Sequence, residues 1–391
     1  MTNWTLAKGK DLGIRTKALA LPEWNCDGLQ PKGAGTARGF ESENTLPFLL
    51  RKAGYRTIHI GKAHLGARDT PGAEPRNLGF DVNIAGTWTG QPGSYLGRRN
   101  FSSGADRRDP WNVRDLDEYH GKEITVTQAI TDKAIAEIGR AKADGKPFLL
   151  HLWHFGVHTP IEPAAEFSKD YEGTRFAQKE RDYATMVADV DKSMGRILDA
   201  LDRLGLAGNT VVVFLSDNGG YAQRVGGYFP RNLPLRSGKG SAYEGGLRTP
   251  MIVRWPGVAK PGSLVEGVAS VVDLMPTVVA AAGGEPPAGL DGRDLRPLLR
   301  GEKAAERQLV WYYPHVWGNK GPGIEPHAAI RRGDLKAVHF FESGKTELYD
   351  LAGDPGETKD LAGERKGDAE RLRDELLAAI KAGGRELPRR L

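Results

Sequence analysis

The sequence has a single cysteine, Cys26, no adjacent pair of aspartates, and no serine followed two residues later by proline. One cysteine excludes an intrachain disulfide, so no disulfide framework holds the fold. No apolar stretch reaches the roughly 18 residues that a membrane-spanning helix needs. No run of Lys and Arg is dense enough to favour nucleic acid as a partner. The opening residues, Met1-Thr2-Asn3-Trp4-Thr5-Leu6, carry no apolar leader region, and no segment repeats.

The 391 residues are 39% hydrophobic and 27% charged, which is ordinary for a globular chain with ample core. The net charge of +5 suits an anionic ligand without requiring one. Asn44-Thr45-Leu46-Pro47 predicts a helix start, and Gly54 its end. Tyr55–Ile60, Phe148–Trp153, Val211–Leu215 and Met251–Trp255 read as strands. The run 211–215 is apolar throughout, which predicts a strand buried on both faces. Helices are predicted over 125–143 and 178–204. The second carries an apolar stripe of Tyr183, Met186, Val187, Val190, Met194, Ile197, Leu198, Leu201 and Leu204.

Strands alternating with helices predict an α/β fold with a mostly parallel sheet covered by helices on both sides. Such sheets bind ligands at the carboxyl ends of their strands. Near residue 300 the texture changes to short strands at 308–313, 328–332, 335–341 and 346–350 and a last helix over 366–382. The reading is therefore two parts: a catalytic α/β domain over 1–300, and a C-terminal antiparallel sheet with a helix over 301–391.

Four polar segments follow strands. Asp217-Asn218-Gly219-Gly220 offers two hard oxygen donors of the kind Ca²⁺ or Mg²⁺ takes, and is equally good turn chemistry. Lys62 and His64 stand two apart after the strand 55–60. His158 lies in the loop after 148–153, where a general acid could stand; His151 and His154 read as buried, hydrogen-bonded residues. Lys239 lies in the basic, Gly-rich stretch Arg236–Ser241, which suits an anion but lacks the spacing of a P-loop.

In order and wording these segments resemble the sulfatase family of the alkaline-phosphatase-like superfamily. The resemblance runs over about 44–362. It rests on Gly61-Lys62-Ala63-His64-Leu65-Gly66, with Ala63 where the family has Trp; on His158-Thr159-Pro160; and on Ser216-Asp217-Asn218-Gly219. It continues through Gly238-Lys239-Gly240-Ser241 with Glu244-Gly245-Gly246, Asp273-Leu274-Met275-Pro276-Thr277, and Leu348-Tyr349-Asp350-Leu351 with Asp354-Pro355-Gly356-Glu357. The resemblance implies a sulfuric ester hydrolase. Asp217 and Asn218 would be Ca²⁺ (or Mg²⁺) ligands. Lys62 and Lys239 would hold sulfate oxygens. His64 would assist the nucleophile, and His158 the leaving group, both His158 and the lysines touching substrate.

The family also uses a Cys or Ser in a Cys/Ser-x-Pro-x-Arg segment, converted to formylglycine, and an aspartate pair as further metal ligands. Neither is present: Cys26 is followed by Gly28 and Gln30 where Pro and Arg would stand. The expectation is a sulfatase truncated before the Gly61-Lys62-x-His64 segment, inactive, poorly soluble and a weak calcium binder as given. The alternatives are a phosphodiesterase or phosphonate monoester hydrolase of the same superfamily, or a non-catalytic remnant. The expected partner is a sulfate ester, preferably on a carbohydrate, recognised by 67–120, 221–235 and 312–327, whose aromatics Trp88, Tyr95, Trp111, Tyr228 and Trp317 either stack on sugar or simply pack. The expected location is periplasmic or secreted if a signal peptide lies upstream, and cytoplasmic otherwise.

Overall fold

The structure, a computed structural model, describes residues 19–20, 45–66, 71–104, 111–222, 232–303, 305–314, 321–385 and 387–390. Its elements in chain order are β1 (Leu19–Ala20), α1 (Leu46–Lys52), β2 (Arg56–Gly61), β3 (Val82–Ile84), α2 (Val126–Ala143), β4 (Phe148–Trp153), α3 (Gln178–Arg203) and β5 (Val212–Leu215). There follow α4 (Glu244–Leu247), β6 (Met251–Arg254), α5 (Leu274–Ala281), α6 (Arg296–Leu299), β7 (Gln308–Tyr313), β8 (His327–Arg332), β9 (Leu335–Phe340), β10 (Thr346–Asp350), α7 (Lys366–Ala382) and β11 (Arg389–Arg390).

The helix starts obey local chemistry. Thr45 caps α1 by accepting from Phe48 N–H, and Pro47 fills the first turn. Thr125 and Gln128 close a reciprocal capping box on α2, at 3.1 and 3.2 Å. At α3 only half of that device exists: Glu180 reaches back to Ala177 N–H at 3.1 Å, and the alanine methyl has no acceptor to answer with.

Strand β2 is the middle of a parallel sheet, with β3 on one side and β4 on the other. Its Ile58 and Ile60 share a core with Val126, Ala129, Ile130 and Ala134 of α2 and with Met186, Ile197 and Leu201 of α3. The stripe expected on α3 is only partly the buried one. Val187 is 45% exposed, while Asp182, Thr185, Asp189 and Ser193 are buried. The reason is the partner: α3 packs on α2 through a polar seam. There Asp189 accepts from the Thr125 hydroxyl, and the hydroxyls of Thr131 and Ser193 meet at 2.5 Å.

Strand β5 departs from expectation. It pairs antiparallel with β6, and its side chains are only half-buried, with Ile252 of β6 64% exposed. An apolar β-branched run specifies extended backbone, but burial on both faces also requires neighbours on both sides. Among the described residues β5 has one.

The four C-terminal strands form an antiparallel sheet in the order β10-β9-β8-β7. Gly333, at φ 57°, takes the left-handed position in the turn between β8 and β9. On one face α7 seats Leu372, Leu376 and Ile380 against Ala328, Ile330, Ala337 and Leu348. On the other, Ala329, Val338 and Tyr349 pack on Ala242 and Tyr243, beside α4. The Asp273 segment is structural: its fully buried carboxylate pairs with Arg307 at 2.6 Å and accepts the N–H groups of Ser270 and Arg293.

Replacing Leu376 by Ala is expected to cost about 2–5 kcal/mol in urea unfolding. Val187→Ala, on the exposed side of α3, is expected to stay within about 0.5 kcal/mol.

Candidate active site

The candidate residues sit on loops at the carboxyl ends of β2, β4 and β5 and, for Lys239, on the loop leading into α4. At the end of β2, Gly61 has φ 97°, and a Cβ there would fall 2.0 Å from the Trp153 carbonyl oxygen. That close approach fixes Lys62, whose N–H donates to Trp153 O and whose Nζ lies 3.4 Å from Asp217 Oδ2. His64 adopts the left-handed conformation, φ 55°, with its N–H on Thr87 O. Its ring lies flush against Gly90, where a Cβ would be 2.3 Å from Cε1. Burial, then the charges of Lys62 and Lys239 and the nearby His158, lower its pKa to about 2. In the free site the neutral form of the His64 imidazole is therefore favoured, which suits accepting or orienting a hydrogen bond.

His158 is held by two neighbours. The Tyr95 hydroxyl lies between the carbonyls of Phe155 (2.6 Å) and His158 (2.9 Å). The His158 Nδ1 lies 3.0 Å from Thr159 O and 3.2 Å from Thr159 Oγ1. A carbonyl can only accept, so Nδ1 carries the proton and Nε2 is the chemically active nitrogen. Burial and then Lys239 lower the His158 pKa to about 4.

Lys239 is placed by backbone. Its N–H donates to Gly220 O at 2.8 Å, and Gly219 N–H donates to Gly246 O at 3.1 Å. Gly219 passes so close to Gly245 that a Cβ would lie 1.7 Å from its carbonyl oxygen. Asn232 staples the same two loops: Oδ1 accepts from Gly220 N–H, and Nδ2 donates to Gly220 O and Ser237 O. Burial and then Lys62 lower the Lys239 pKa to about 8.

The structure thus brings Lys62, His64, His158, Lys239 and Asp217 together, close enough that the lysine charges lower the pKa of both imidazoles. His151 and His154 are not part of this group. His151 Nδ1 meets His59 Nδ1 at 3.0 Å, and His154 Nε2 meets Ser193 Oγ at 3.2 Å, as buried structural imidazoles do.

Asp217, 55% exposed, and Asn218 next to it are hard oxygen donors, so they fit one side of a Ca²⁺ or Mg²⁺ shell. They do not fit as a whole shell, which needs about six donors. Among the described residues no group of three or more His, Cys, Asp or Glu could hold a metal. Cys26, Tyr228 and Trp317 lie outside the described residues.

The structure adds residues that sequence reading missed. Lys336 of β9 is fully buried, with Nζ 2.8 Å from Glu244 Oε1 and 2.9 Å from Glu357 Oε1. Glu357 Oε2 also accepts the Glu244 N–H at 2.6 Å, and Arg248 Nε donates to Glu244 Oε2 at 2.7 Å. This cluster anchors the segment behind Lys239. Glu244 and Glu357 stand in quoted motifs, but Lys336 in Leu-Lys-Ala-Val-His-Phe reads as an outward-facing strand residue. Tyr95, one of the aromatics expected either to stack on substrate or to pack, packs: it is a buried prop for the His158 loop.

The sulfatase family model matches residues 28–284. The chain belongs to the sulfatase family. A second model, the C-terminal part of N-sulphoglucosamine sulphohydrolase, matches residues 238–382. N-acetylgalactosamine-6-sulfatase of Sus scrofa is 35% identical over 289 residues, 70% of this chain and 51% of that protein. Steryl-sulfatase of Mus musculus is 34% identical over 292 residues, 66% and 44% respectively. The chain spans about half the length of the curated relatives it matches. The crystal structure of Ps i-CgsB in complex with k-i-k-neocarrahexaose superposes with a TM-score of 0.71 at 27% identity, covering 90% of this chain and 77% of that one. The fold is the alkaline-phosphatase-like α/β architecture with a C-terminal antiparallel sheet and helix.

Lys336→Ala leaves the buried Glu357 carboxylate without a cation, while Glu244 keeps Arg248, and is expected to cost about 3–5 kcal/mol at pH 7.5. Burial already pushes Glu357 above the usual carboxylate range, and Lys336 opposes that. Without Lys336 its folded pKa rises further above the unfolded one. The variant's deficit should therefore shrink as pH falls toward 5, read by urea unfolding at the two pH values.

Proposed function

We propose that this site binds the sulfate group of a sulfate ester and stabilises it during hydrolysis, preferably on a sulfated carbohydrate. The convergence of Lys62 and Lys239 with two neutral imidazoles, His64 and His158, carries the reading. Two ammonium groups facing a common space, one of them desolvated, are a costly arrangement that an anion relieves. Fixed cations around sulfur oppose the charge that develops on its oxygens in the transition state. The sulfated carbohydrate is favoured by two similar proteins, N-acetylgalactosamine-6-sulfatase and Ps i-CgsB with its bound k-i-k-neocarrahexaose.

In this reading Lys62 and Lys239 grip the sulfate oxygens, and His158 Nε2 faces the ester oxygen. His158 is neutral in the free site because burial and the lysine charges disfavour its cation. An anionic sulfate cancels part of that lysine field, so substrate raises the His158 pKa and allows Nε2 to carry a proton to the leaving group. His64, kept neutral, orients the attacking group. Asp217 and Asn218 would supply oxygen donors to a Ca²⁺ or Mg²⁺ ion, which when bound would add charge stabilisation to the sulfate oxygens. The family's formylglycine segment has no counterpart in this sequence, so no step here is assigned to a nucleophile.

Two outcomes are expected of the purified chain. Inorganic sulfate binds in calorimetry at pH 7 and weakens as pH rises past about 8, because Lys239 then loses its proton; Lys239→Met flattens that dependence. Absence of sulfate binding at pH 7 would sink the reading. Separately, p-nitrophenyl sulfate is expected to give no turnover with this chain. Robust hydrolysis would show that a nucleophile is present after all.

A further inference from the structure

Tyr221 closes the segment Asp217-Asn218-Gly219-Gly220-Tyr221 and touches both polar arms of the site. The Lys239 ammonium lies over its ring, 5.7 Å from the centroid. The His158 ring meets it edge-on, with centroids 6.4 Å apart and planes at 66°. Its hydroxyl shares a hydrogen bond with the Thr159 side chain, whose Oγ1 lies 3.2 Å from His158 Nδ1. Its own backbone is held, since Tyr221 O faces Asn232 Nδ2 at 3.5 Å.

We propose that Tyr221 is a positioning residue of the sulfate site, its ring face confining the Lys239 ammonium and its edge and hydroxyl fixing His158 through Thr159. The inference rests on the sulfate reading of the site. A lysine on a four-carbon stem loses much conformational freedom when it grips an anion. An aromatic face attracts the ammonium electrostatically and restricts it before the anion arrives. The same ring, bonded to Thr159, holds the imidazole whose Nδ1 that residue also holds. One side chain therefore sets the distance between the group that binds sulfate oxygens and the group that meets the ester oxygen.

The test compares the full chain with Tyr221→Leu and Tyr221→Phe, using inorganic sulfate as the probe. Folding is monitored by thermal unfolding. In NMR, protons of the Lys239 side chain near the ring face should be shielded in the wild type and in Tyr221→Phe, and should lose that shielding in Tyr221→Leu. Sulfate affinity should fall about fivefold in Tyr221→Leu and stay within about twofold in Tyr221→Phe, which keeps the ring. Sulfate should also move the His158 Hε1 and Lys239 resonances together in the wild type and independently in Tyr221→Leu. Equal sulfate affinity and equal joint response in a folded Tyr221→Leu protein would overturn the role of Tyr221 alone. Failure of sulfate to bind the wild type, with the ring shielding intact, would overturn the sulfate reading and this role with it.

Discussion

The site depends on how closely two stretches of backbone approach each other. The loop after β5 and the start of α4 run together at Gly219 and Gly245, nearer than any side chain allows. They are joined by Lys239 N–H on Gly220 O and Gly219 N–H on Gly246 O, with Asn232 bridging both. That contact carries Asp217, Asn218 and Tyr221 on one strand of chain and Lys239 on the other. Residues far apart in sequence become neighbours with almost no slack. Substituting Gly219 would separate the two halves of the site before it altered any functional group.

Such rigidity matters because the site gathers like charges. Lys62 and Lys239 each lower the pKa of the imidazoles, and Lys62 lowers that of Lys239. A flexible scaffold would relax by swinging the lysines apart into water. Here Lys62 is held by the Gly61–Trp153 contact and Lys239 by the paired loops. The repulsion is kept in the folded state and is available to be relieved by an anion. Asp217, 3.4 Å from Lys62, offsets part of it, though an exposed carboxylate offsets less than a buried one.

Much of this was legible in the sequence, for identifiable reasons. The C-terminal strands and α7 read almost to the residue because period-two and period-four patterns there are undisturbed by function. Lys62, His64, His158, Asp217, Asn218 and Lys239 stood out because their segments, each weak alone, together resemble the sulfatase family in order and wording. Tyr221, Asn232, Gly90 and Lys336 were not, because each acts through a contact distant in sequence that no local pattern encodes. Lys336 is the clearest case: a lysine between Leu335 and Ala337 predicts a solvated face, and only the two glutamates brought in by tertiary packing make its complete burial tolerable. The stripe on α3 misled for a related reason. Hydrophobicity marks a buried face, but a helix packed on another helix through hydroxyls and Asp189 also buries polar residues.

The same cluster bears on how the chain is divided. A change of texture near residue 300 separates the α/β part from the antiparallel sheet, yet the strongest polar contacts cross that line. Lys336 and Glu357, from the later part, hold Glu244, and Tyr349 packs with Tyr243 while its hydroxyl accepts from Arg236. Arg236 and Glu244 bracket Lys239. The antiparallel sheet is therefore the floor on which the Lys239 loop is built, and a cut at 300 would remove the anchor of that loop without touching Lys239. A buried ion cluster is an expensive way to join two parts, since desolvating three charges offsets most of their attraction. What it supplies is direction: hydrophobic contact between α4 and the sheet would tolerate sliding, whereas Lys336 meets both glutamates in only one register.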